Sequence, residues 1–86
     1  MSAQYAYFYL MRADATGVPE AVPAHVAHWR GLGLDGYVGG PFEDRTGGLI
    51  TFRAEEPSWA EQAVTTDPFV GRGLLAAHWL KRWTPE

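Results

Sequence analysis

The sequence predicts an α+β domain whose elements run strand, helix, strand, strand, helix, strand. Three observations carry that expectation. The chain opens on an aromatic run, QYAYFYLM (residues 4–11), with the two-residue alternation of a strand. Two segments with helical spacing, VPAHVAHWRGLG and PSWAEQAVTT, stand apart from each other. Between them GYVGG and GLITFRA flank the turn-forming EDRTGG, which reads as a hairpin. This order is the split βαβ, or ferredoxin-like, pattern: a four-stranded antiparallel sheet with both helices on one face.

Each element has its own justification. In the first strand Tyr5, Tyr7 and Tyr9 share one face, and Ala6, Phe8 and Leu10 the other, so both faces can be buried. RADATGVPEAV is a loop by its Gly, Pro, Asp and Thr content. Pro23 is expected in the first turn of the first helix, where its missing N–H costs little. Val22, Val26, Trp29 and Leu32–Gly33 mark its inward face, and it is expected to end near Leu34–Asp35 with Gly36 as turn residue. Gly31 and Gly33 weaken it by about 1 kcal/mol each relative to Ala. In the hairpin, Ile50 and Phe52 face one way and Leu49, Thr51 and Arg53 the other. Ser58 and Glu61 form a capping box for the second helix, with Trp59, Ala63 and Val64 inward. DPFVGRGLL is a turn or short helix, and AAHWLKRW a last strand with Trp79 and Trp83 on one face.

Strands apolar on both faces pose a packing problem, because two helices cover only one side of the sheet. Face-to-face packing of two such sheets solves it, which predicts a homodimer. The 86 residues contain no cysteine, so disulfides contribute nothing to stability. Net charge is −3, and Lys81-Arg82 is the only adjacent basic pair; no nucleic-acid footprint is expected. The start of the chain lacks a basic n-region and its apolar run is too short to span a membrane, so a cytoplasmic protein without membrane contact is expected.

Three stretches bear on chemistry. His25 and His28 lie one helical turn apart, but H-x-x-H separated only by Val26 and Ala27 is a weak metal signature that needs a third ligand such as His78. No metal is expected. GGPFEDRTGG places Gly39, Gly40 and Pro41 at a bend where backbone can approach a ligand, or simply kinks a strand. In TDPFVGRG, Asp67 followed by Pro68 reads as helix N-cap and first helical residue. A carboxylate so placed can also orient a histidine and select its tautomer. Spacing alone leaves both readings open.

Taken together, PAHVAHW, GGPFED, DPFVGRGLL and the tryptophan-containing last strand resemble the YCII-related domain family, over nearly the whole chain to Trp83. The resemblance implies one domain over residues 1–86 and a dimeric α+β barrel of ferredoxin-like protomers, similar to muconolactone isomerase-like proteins. It implies a catalytic pair, His25 and Asp67, and matches the family's Gly-Pro to Gly40 and Pro41. His28 falls at a less constant position. The expected function is a small cofactor-independent enzyme, of isomerase or lyase type. His25 would move a proton on a small hydrophobic or ring substrate, and Asp67 would hold the imidazole. Tyr7, Trp29 and Phe69, with Gly40 and Pro41, are the expected substrate-binding residues; Tyr5 and Tyr9 are further candidates for the wall. Glu43, Asp44 and Arg72 are candidates for a second acid or base. Rival readings are cofactor-free oxygenation, by fold analogy, and a non-catalytic small-molecule-binding or accessory dimeric module.

Overall fold

The computed structural model describes residues 2–86. Strand β1 (Ala3–Met11) is followed by helix α1 (Val18–Gly31) and the hairpin of β2 (Asp35–Pro41) and β3 (Gly47–Ala54). Helices α2 (Pro57–Thr65) and α3 (Pro68–Gly71) then lead to β4 (Leu75–Arg82). The sheet order is β2-β3-β1-β4, antiparallel throughout, which is the expected ferredoxin-like topology. DPFVGRGLL, expected as a turn or short helix, holds a one-turn helix over Pro68–Gly71.

The alternation in β1 sorts as the sequence indicates. Tyr5, Tyr7 and Tyr9 point under the helices and are buried, with Ile50 and Phe52 of β3 beside them. Tyr7 stacks on Trp29 of α1, and Tyr5 on Phe52. The opposite face carries Phe8, paired across the sheet with Leu49 and Trp79. These three are 37%, 40% and 45% exposed, so an apolar row lies open on the side away from the helices.

Several local expectations are corrected. Helix α1 starts at Val18, with Pro19 in its opening turn, so Pro23 lies inside it. There the ring deprives the Pro19 carbonyl of its intrahelical donor. The helix stops at Gly31, and the chain turns at Gly33 (φ 65°); Gly36 belongs to β2. Its buried stripe is Ala21, His25 and Trp29, spaced i, i+4, i+8, while Val22 and Leu32 are exposed. The reason is polar: the His25 and Trp29 ring nitrogens need a buried partner, and rotating that stripe inward supplies one. Helix α2 begins two residues earlier than a Ser58 cap would place it, with Glu56 at the N-cap and Pro57 next, so Ser58 and Glu61 form no capping box. Trp59 faces outward, 56% exposed, because Ala60, Ala63 and Val64 are the side chains that fit against the sheet.

Candidate active site

Asp67 caps α3: its Oδ1 accepts from the Phe69 N–H at 2.8 Å. That much is local, and Asp-Pro dictates it. The same carboxylate also accepts from His25 Nδ1, 2.9 Å from both oxygens, and from Trp29 Nε1 at 2.9 Å to Oδ2. His25 and Trp29 lie four residues apart on α1, so one helical face delivers both donors. Asp67 is 1% exposed and His25 7%. Burial pushes the Asp67 carboxyl up. The bonds from His25, Trp29 and Phe69 more than offset this and hold it below the ordinary range.

A carboxylate only accepts, so His25 Nδ1 must carry the proton in this contact. Nε2 then faces the other way, 3.5 Å from the Tyr9 hydroxyl. The Phe69 ring lies flat on the imidazole, with centroids 3.9 Å apart and planes 7° apart. The ring is therefore fixed in tautomer by Asp67 and in plane by Phe69. Burial, then the nearby Asp67 and Tyr37, push the Tyr9 hydroxyl up to about 12, so it is a neutral donor at ordinary pH.

His25 and Tyr9 line a cavity of about 320 Å³ between α1 and the β2–β3 hairpin. Val18, Val22 and Val26 of α1 form one wall. Tyr37, Gly39, Gly40 and Pro41 of β2 form another, and Tyr9, Ile50 and Phe69 close the inner end. The volume suits a small organic molecule. Two cationic side chains also line it, Arg30 of α1 and Arg45 of the hairpin turn. Arg45 has φ 64°. Among the described residues it is the only non-glycine with positive φ.

Of the residues singled out from sequence, His25, Gly40, Pro41 and Phe69 line this cavity, and Asp67 stands directly behind His25. Tyr7 and Trp29 do not line it. Both are fully buried beneath it: Trp29 holds Asp67, and Tyr7 packs between Trp29 and His78. Tyr5 stacks on Phe52, away from the cavity lining. Glu43, Asp44 and Arg72 lie outside that lining too, and the group beside the imidazole is Tyr9. His28 turns to a different partner, donating Nε2–H to the Ala63 carbonyl of α2 at 2.7 Å. That tie between helices accounts for the second histidine. No group of three metal-ligating side chains occurs among the described residues. No helix among them is long and apolar enough to cross a membrane.

Among the lining residues that sequence reading missed are the two cationic ones, Arg30 and Arg45. Arg30 had a signal: it follows Val22 and Val26 at four-residue steps, so it extends the cavity-facing stripe. Arg45 carries no such signal: within GGPFEDRTGG it falls in EDRTGG, whose composition indicates only a turn.

Fold and site together define a class: a ferredoxin-like α+β domain with a buried histidine–aspartate pair beside a small, mostly apolar cavity. Solved structures of the same fold are dimeric α+β barrel proteins. One of them is 5-chloro-2-hydroxyhydroquinone dehydrochlorinase (TftG) from Burkholderia phenoliruptrix AC1100, in complex with 2,5-dihydroxybenzoquinone. It is 27% identical, with a TM-score of 0.82 over 94% of this chain and 93% of that one. An antibiotic biosynthesis monooxygenase-like protein from Chloroflexus aurantiacus J-10-fl matches at 19% identity and TM-score 0.58, over 98% and 96% of the two chains. Rv0793 from Mycobacterium tuberculosis matches at 12% and 0.57, over 100% and 98%. The last two share the fold alone. No family model and no curated protein matches the chain. The neighbours therefore show the superfamily, and the narrower YCII-related resemblance rests on the sequence motifs.

Proposed function

We propose that this protein is a small enzyme using His25, oriented by Asp67, for acid–base elimination on a small ring substrate. One observation carries the reading: Nδ1 is held by a buried carboxylate while the same imidazole lines a cavity of small-molecule size. With Nδ1 occupied, Nε2 is the atom that exchanges a proton with a bound molecule. Asp67 stabilises the imidazolium that forms, and Phe69 keeps its plane. The resemblance to a dehydrochlorinase, at 27% identity over nearly the full length, supports a lyase-type reaction.

The chemistry balances without an oxidant. On the ring tautomer whose chlorine-bearing carbon is tetrahedral, Nε2 removes a proton from a ring hydroxyl. The released electron pair moves through the ring into a new double bond, and chloride departs with its own bonding pair. The products are a quinone, chloride and a proton on His25. The Tyr9 hydroxyl, beside Nε2, is placed to hydrogen-bond the oxygen that gains or loses charge.

The test is chloride release from 5-chloro-2-hydroxyhydroquinone under anaerobic conditions. Wild type is expected to release chloride. His25→Ala is expected to fall by about 10²–10⁴-fold while keeping its circular dichroism spectrum. Unchanged turnover in His25→Ala would sink the acid–base assignment. Binding without turnover in the wild type would favour the non-catalytic module.

We further propose that two copies pack through the sheet face carrying Phe8, Leu49 and Trp79. An open apolar row of this kind is the ordinary mark of an interface.

A further inference from the structure

Building on the ring-substrate reading, we infer that Arg45, helped by Arg30, selects ring compounds that carry an ionised oxygen. Three observations meet at Arg45. Its side chain lines the cavity that His25 faces. Its backbone is left-handed, φ 64°, at a turn position where glycine or asparagine is the low-energy choice. Finally, neither its guanidinium nor that of Arg30 has an ion-pair or hydrogen-bond partner among the described residues. Arg12, by contrast, is paired with Asp14.

The turn holds its shape without the Arg45 side chain. The Arg45 N–H donates to the Phe42 carbonyl at 2.9 Å, and the Thr46 N–H and hydroxyl both donate to Asp44 Oδ1, at 3.0 and 2.7 Å. A glycine would make the same backbone bonds without the strain of a Cβ at positive φ. The arginine is therefore not explained by the turn, and strain at a cavity rim points to use of the side chain.

The charge balance of the cavity agrees. Two guanidiniums line it, and no Asp or Glu side chain does among the described residues; Asp67 is already bound by three donors. A guanidinium offers two parallel N–H donors, which match adjacent oxygens of an ionised hydroxyquinone or carboxylate. With the anion held at the hairpin and His25 at the inner end, the ring lies across the cavity.

The experiment is calorimetric titration of two quinones into the intact protein. One is 2,5-dihydroxybenzoquinone, which is ionised at neutral pH, and the other 2,5-dimethoxybenzoquinone, which is neutral. Wild type is expected to bind the ionised compound at least about tenfold more tightly. Arg45→Gly is expected to melt at the same temperature or higher, because the turn strain is relieved, yet to bind the ionised quinone roughly 10- to 100-fold more weakly. Its affinity for the neutral one should not move. Arg45→Gln, which keeps the side-chain length and the strain, should lose the same selectivity. Equal affinity of wild type for both quinones, or undiminished selectivity in Arg45→Gly, overturns this inference and leaves the histidine assignment standing. Failure of wild type to bind either overturns the ring-substrate reading and this inference with it.

Discussion

Three donors converge on the Asp67 carboxylate: an imidazole, an indole and a backbone N–H. Each favours the charged form, so the folded protein holds this carboxyl below its unfolded value. The sign follows. The stabilisation is complete above the unfolded carboxyl pKa, about 4, and is lost as pH falls through the lower folded value. Thermal melts between about pH 2 and 7 should show stability dropping at the acid end, and Asp67→Asn should flatten that limb. The variant should also lose about 2–4 kcal/mol at neutral pH, because a buried donor then faces an amide N–H. A melt of Asp67→Asn with an unchanged acid limb would assign the acid sensitivity to other carboxylates. At this scale the sequence was half legible. Asp67-Pro68 announced a helix cap, and it is one. Nothing local announces that a histidine 42 residues away donates to it.

At the scale of elements, strands read better than helices. Alternation in β1 and β3 separated the two faces of each strand correctly, because a two-residue period leaves only two choices. Helix α1 offers a continuum of faces, and apolar spacing selected Val22 and Val26. Those valines do share a face, but it lines a cavity, while the core stripe runs through His25. Proline misled as well: of Pro19 and Pro23, the first opens the helix and the second is tolerated within it. The hairpin carries its own device. A Cβ on Gly48 would strike the Tyr9 ring and its hydroxyl, and also the Gly40 carbonyl across the hairpin, so glycine there lets both Tyr9 and β2 lie close against β3. Gly48→Ala should displace Tyr9, cutting turnover more than its effect on melting temperature would suggest. Kinetics and a melt on the same sample check this, and an unaltered rate would show Tyr9 to be a passive wall.

At the scale of the molecule, the sheet has one face under helices and one in the open. The strands that looked apolar on both sides are so, and Phe8, with Phe42 and Trp79 against it, makes the open side aromatic. Light scattering on the eluted protein is expected to give twice the 9.5 kDa chain mass. Trp79→Glu, placing a charge at the β4 end of that row, is expected to give a single chain. A wild type that elutes as one chain at micromolar concentration would remove the need for a partner. The topology was readable because it depends on element order. The assembly was readable only as a surplus of apolar surface.

The dual role of Asp67 also bears on how the site fails. The carboxylate that fixes the imidazole is the cap of a helix only four residues long, Pro68–Gly71. Such a segment opens by itself far more often than a whole sheet unfolds. Each opening releases His25 from its tautomer and its plane while the strands stay paired. Breathing of that one helical turn is expected to limit the working lifetime of the site, and exchange of the Phe69 amide, bonded to the same carboxylate, is the measurement that follows it.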